Sequence, residues 1–129
     1  MADTVEPRWK ASEMALDRAQ RSEARRIADE LAKLVRSGPV LPGSIAERRM
    51  VCGRANCACH NDVDRRHGPY YQWTRKVAKK TVGRFLSAEQ RTDYSAWIAN
   101  DRRAHELLRR LEELGIEALE ADPRTRRRR

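Results

Sequence analysis

Apolar positions follow a helical period at both ends of the chain and a strand-like period in the middle. Over residues 12–37, Ile27, Leu31 and Leu34 recur at i, i+4 and i+7, with Ala24 and Val35 widening the stripe. This predicts a helix whose second half seeks an apolar partner. Ser12 is its predicted cap, Glu13 and Asp17 suit the positive N-terminal end, and Gly38-Pro39 stops it. Leu41-Pro42-Gly43-Ser44 sets Pro and Gly where a type II turn wants them, and Ile45 to Val51 follows as a short strand. Tyr70 to Lys76 and Thr81 to Leu86 carry the aromatic and β-branched residues of two further strands. Only Val77 to Lys80 separates them, which makes a β-hairpin; without Asn-Gly its turn type stays open. Ser87-Ala-Glu-Gln90 matches a capping box, so a long helix begins there. Tyr94, Trp97, Ile98, Ala104, Leu107, Leu108, Leu111, Leu114, Ala118 and Leu119 give it a broad stripe, close to a heptad seam in part. Asp122-Pro123 ends it, with Gly115 an earlier weak point.

Composition narrows what these elements build. With 129 residues, 36% of them charged and 5% aromatic, the expectation is one domain with a thin core. The predicted organisation is a disordered N-terminus over 1–11, a single domain over 12–121 and a disordered basic tail over 122–129. No apolar run approaches the roughly 20 residues a bilayer needs, and Asp3 and Glu6 stand where a signal peptide would be basic and apolar. No membrane association and a cytoplasmic location are therefore expected. The net charge of +9 is uneven, because Arg124, Arg126, Arg127, Arg128 and Arg129 crowd the last six residues. A basic body with a polycationic tail points to an anionic partner, nucleic acid ahead of a membrane surface. A solubilising, disordered end explains the tail equally well.

The chemistry-bearing segment is Cys52-x4-Cys57-x-Cys59-x7-His67. Three cysteines within eight residues cannot all pair with one another, and Cys57 and Cys59 are poorly placed for a disulfide, which favours metal over oxidation. Zinc takes four tetrahedral ligands and suits thiolate and imidazole. Cys52 to Cys57 reads as a tight turn, with Gly53 able to take positive φ and Asn56 tolerant of it. His67 is preferred to His60 as fourth ligand, since His60 adjoins Cys59 while Gly68-Pro69 turns the chain at His67. With four protein ligands the zinc is structural and has no open position for water. Free cysteines in a loop, or a redox-sensing thiol cluster, are the alternatives. The fold class expected from these parts is α+β and mostly helical: two long helices, about 12–37 and 87–120, pair, with a small zinc knuckle and β-hairpin over about 45–86 between them.

Leu-Pro-Gly-Ser at 41–44, Cys-Gly at 52–53, Cys-x-Cys at 57–59 and His-Gly-Pro-Tyr-Tyr at 67–71, followed by the helix after the hairpin, resemble an uncharacterised bacterial and archaeal family carried as a domain of unknown function. The resemblance spans roughly residues 41 to 111. It implies a zinc-binding module often met in the company of mobile elements and transposases. Val77-Ala78-Lys79-Lys80 departs from the Gly-Gly-Lys-like turn of relatives, and the N-terminal helix and arginine tail lie outside the resemblance.

Four of the seven aromatics, Tyr70, Tyr71, Trp73 and Phe85, fall on the hairpin with Arg75, Lys76, Lys79, Lys80 and Arg84. Alternation sends Tyr71 and Trp73 to one face and Tyr70 and Gln72 to the other, so one face can pack while the other presents cations. Such a ribbon fits a DNA major groove, and exposed aromatics can stack on unpaired bases; the competing reading has the aromatics fill the core. Arg48, Arg49, Arg54, Arg65 and Arg66 add positive charge nearby. Asn61-Asp62-Val63-Asp64 is a weak cation candidate, His60 has no assigned role, and His105 pairs with Asp101 at i, i+4. No phosphate-cradling Gly loop and no nucleophile, acid and base set is apparent, so no catalytic residues are expected. The main expectation is a non-enzymatic, zinc-stabilised nucleic-acid-binding accessory protein, with DNA ahead of RNA. The alternatives are a protein-interaction adaptor or homodimer formed through helix 87–120, and a metal-dependent nuclease.

Overall fold

The computed structural model describes residues 15–128. The order is α1 (Arg18–Ser37), β1 (Ser44–Met50), two short 3-10 turns (Ala58–His60 and Val63–Arg65), β2 (His67–Val77), β3 (Lys80–Leu86) and α2 (Ala88–Ala121). The α+β class, with two helices and strands between them, is as expected. The described residues divide into two compact units: a helical one formed by 15–37 and 103–128, and one spanning Gly38–Arg102. The expected disordered segment 1–11 and the Ser12 cap lie outside the described residues. Within them α1 begins at Arg18, later than the pattern suggested. Asp17 is the cap: its Oδ1 accepts from the Gln20 amide at 2.8 Å, and Gln20 Oε1 accepts from the Asp17 amide at 3.0 Å. Aspartate with glutamine three residues on is itself a capping box.

In the helical unit, Ile27 of α1 packs with Leu107 and Leu114 of α2, flanked by Ala24, Leu31 and Leu111. The spacing of Leu107, Leu111, Leu114 and Ala118 is that of a heptad seam, and each fully buried Leu or Ile contributes about 2 kcal/mol. Two bidentate ion pairs border it, Arg103 with Glu30 and Arg110 with Glu23, each with contacts of 2.7 and 2.9 Å. They lie seven residues apart on both helices, running in opposite directions, so the pairing is antiparallel. Leu108 and Leu119 fall off this seam and stay exposed, as does Val35. Gly115 does not interrupt α2, which runs continuously from Ala88 to Ala121.

In the Gly38–Arg102 unit the three strands form one antiparallel sheet in the order β1-β2-β3. Gly43 has φ +102°, which suits the third position of the type II turn, and a side chain there would collide with the Thr74 carbonyl. The Trp73 indole N–H donates to the Pro42 carbonyl at 2.9 Å and ties that turn to the sheet. Trp73 and Tyr71 share the face that meets the first turns of α2, where the Arg91 guanidinium lies 5.1 Å from the Tyr71 ring centre. The predicted box holds that helix start: the Gln90 amide donates to Ser87 Oγ at 3.1 Å and the Ser87 amide to Gln90 Oε1 at 2.9 Å.

Val77 pairs with Lys80, leaving a two-residue loop in which Ala78 and Lys79 both have positive φ, 49° and 68°. Positive φ at both central residues is the type I′ arrangement, which matches strand twist and ordinarily recruits Asn-Gly. Here an alanine and a lysine bear it. Replacing Ala78 by Asn together with Lys79 by Gly should raise stability by about 1 to 2 kcal/mol in urea unfolding; an unchanged or lower midpoint would refute the strain.

Candidate metal centre

Nothing apolar organises Cys52 to Arg66: in this stretch Cys59, 1% exposed, is the one buried residue. The chain turns at Cys57, whose amide donates to the Arg54 carbonyl at 3.2 Å, and then enters the 3-10 turn Ala58–His60. Neither Gly53 nor Asn56 uses the left-handed conformation open to it, because the 3-10 turn, rather than a glycine corner, delivers the sulfurs. A second 3-10 turn, Val63–Arg65, is capped by Asp62, whose Oδ1 accepts from the Asp64 amide at 3.0 Å while Oδ2 lies 3.6 Å from Arg65. Asp62 thus has a local structural task, and neither it nor Asp64 joins the cluster of ligating atoms.

His67 opens β2. Between Arg48 and Met50 the β1–β2 register shifts, so that Met50 stands opposite His67, and Gly68, at φ +125°, lets the strand pass against the Arg48 carbonyl. A bulge of this kind re-aims the strand beside it. The result is that His67 Nε2 lies 3.4 Å from Cys57 Sγ. Cys59 Sγ lies 3.6 Å from Cys52 Sγ and accepts the Cys52 amide at 3.3 Å. One ligand atom from each of Cys52, Cys57, Cys59 and His67 falls within 4.8 Å of all the others, an arrangement able to hold a metal ion. His60 is exposed and outside the group.

The sulfurs differ electrostatically. Hydrogen bonding from the Cys59 backbone N–H, then the Cys59 sulfur, His67 and Cys52, brings the Cys57 thiol down from 9.0 to about 6. For Cys59 the Cys52 amide pulls downward, but burial and the sulfurs of Cys57 and Cys52 prevail and push the thiol up.

The basic side chains are placed as follows. Arg75, Lys76, Lys79, Lys80 and Arg84 are all exposed on the hairpin, but on both faces: Arg84 pairs with Trp73, and Lys76 with Thr81. Arg124 is held by Asp122, Nη2 to Oδ2 at 2.7 Å, which lowers that carboxyl to about 2. Arg126, Arg127 and Arg128 are exposed, and Arg129 lies outside the described residues. What the sequence left unassigned is the contact between Tyr70 and Phe85, edge to face at 6.5 Å between ring centres. Alternation placed Tyr70 correctly, but the cross-strand register was needed to add Phe85.

Residues 15–96 match the family described as Domain of unknown function (DUF6788). The chain belongs to this family. The match takes in α1, which the resemblance had left outside, and stops within α2, short of residue 111. No curated protein and no solved structure matches the chain. Among the described residues, no helix is long and apolar enough to cross a membrane.

The metal-free protein should show ordered thiol reactivity. Above pH about 6 Cys57 is the thiolate, so iodoacetamide should label it first and the buried Cys59 last, as read by peptide mass spectrometry across pH 5 to 8. Equal labelling of all three would contradict this geometry.

Proposed function

We propose that this chain is a zinc-stabilised, non-enzymatic nucleic-acid-binding accessory protein. The convergence of three sulfurs and an imidazole within 4.8 Å carries the zinc part of the reading. Around a tetrahedral zinc, ordinary bond lengths put two sulfurs about 3.8 Å apart and a sulfur and nitrogen about 3.6 Å apart. The separations of 3.6 and 3.4 Å are close to both. Zinc would be held by Cys52, Cys57, Cys59 and His67, and with four protein ligands its contribution is structural. Cys59, Cys52 and the Cys52 amide form the inner part of this cage, while His67 ties it to β2.

Charge supports the binding part. Between Gly38 and Arg102 twelve Lys and Arg stand against six Asp and Glu, so the zinc-bearing unit is strongly basic even without the tail. In the helical unit, by contrast, Arg103 and Arg110 are engaged by Glu30 and Glu23. Phosphates are the natural counter-charge for the unbalanced unit, DNA being the first polymer to test. One observation favours a second reading, a self-associating helical adaptor: Leu108, Ile116 and Leu119 of α2 are 45%, 55% and 61% exposed. Light scattering at increasing protein concentration distinguishes it.

Binding to a labelled duplex, measured at two or more salt concentrations, tests the proposal. Affinity should fall steeply with salt, and replacing Arg124, Arg126, Arg127, Arg128 and Arg129 by glutamine should flatten the log–log slope by as many units as there are lost phosphate contacts, roughly 0.9 each. No binding of either the duplex or a single strand of the same length at low salt would overturn the nucleic-acid part and leave the metal part standing.

A further inference from the structure

Tyr71 and Trp73 occupy the sheet face that meets α2, but the opposite face is open and not uniformly polar. Gln72 lies on it, paired with Phe85, and Thr74 pairs with Gly83. Two residues along from Gln72 on the same face is Tyr70. Tyr70 and Phe85 are 41% and 64% exposed, and they touch each other at an interplanar angle of 69°. An exposed phenylalanine among Gln and Thr adds little to the core of its own unit, because most of its surface remains in water. The pair instead forms a small aromatic ledge. Cations frame it: Arg48 stands opposite Tyr70 on β1, and Lys76 lies on the same face farther along β2.

We infer that this open face is a platform for single-stranded DNA, Tyr70 and Phe85 stacking on unpaired bases while Arg48 and Lys76 meet the phosphates. The inference rests on the nucleic-acid reading above and narrows it. Alternating π-faces and cations is the pattern that suits a single strand, whose bases are free to leave their own stack. In a duplex the base faces are already covered, and rings set on a sheet offer its edges nothing specific. A protein partner fits less well, since charged groups are depleted at the centre of protein interfaces, and here they border a patch only two rings wide. Neither stacking nor phosphate contact needs a 2′-hydroxyl, so DNA suffices as the occupant.

The test uses the full-length zinc-loaded protein and fluorescence anisotropy with a labelled oligothymidine of about 15 nucleotides, a length that other single-strand-binding domains can cover. A duplex of the same length and an oligouridine are the comparison probes. The expected result is tighter binding to oligothymidine than to the duplex. Phe85→Ala and Tyr70→Ala should each lose about tenfold in single-strand affinity, with duplex affinity little changed. Phe85→Trp should retain or improve it. Because Phe85 is mostly exposed and Tyr70 is partly so, the alanine variants should keep their circular dichroism and zinc content, which are measured in parallel. Duplex binding equal to single-strand binding, with Phe85→Ala altering neither, would overturn this inference while the broader reading stands. Binding to no polynucleotide overturns both, and a preference for oligouridine by tenfold or more overturns the assignment to DNA.

Discussion

The convergence of Cys52, Cys57, Cys59 and His67 is the constraint on which the middle of this protein depends. A loop of this length ordinarily holds its shape by burying apolar side chains, and this one buries only the Cys59 side chain. What remains are a few backbone hydrogen bonds and two single-turn 3-10 segments, each too short to persist alone. The cluster is able to hold a metal ion, and under the proposed zinc reading that ion would replace the missing core by joining four separate side chains into one rigid centre, its binding energy becoming folding energy for the segment. Small basic domains with few aromatics need such a staple, because burial scales poorly with size.

From that centre the consequences run outward through β2. His67 is both a member of the cluster and the first residue of the central strand, so a fixed imidazole fixes where the sheet begins. The strand then carries Tyr70 and Tyr71 to opposite faces, one open and one against α2. The cage and the aromatic ledge are therefore only three residues apart along one strand.

Much of this was legible in the sequence where one local rule decides the outcome. Ser87 with Gln90 announced the start of α2, and the i, i+4 spacing of Ile27 and Leu31 announced the seam partner of Leu107. That Cys52, Cys57 and Cys59 come together was legible because their close spacing in the chain leaves them little freedom to separate. Other features depend on partners distant in sequence. The turn at Ala78 and Lys79 is set by strand register and not by its own residues, which would ordinarily avoid positive φ. Choosing His67 over His60 rests on the bulge beside Gly68, and the exposure of Phe85 depends on which face α2 covers. The start of α1 was placed too early because Ser12 resembles a cap, although Asp17 and Gln20 carried the same signal nearer the apolar stripe.

Metal content with local protection is the most direct measure of the central claim. Native mass spectrometry of the purified protein should show one zinc per chain, and hydrogen exchange after chelation should show residues 52–70 losing protection while the α1–α2 seam around Leu107 and Leu114 keeps its own. A chain that carries no metal as isolated, and whose exchange over 52–70 is the same with and without added zinc, would contradict the account.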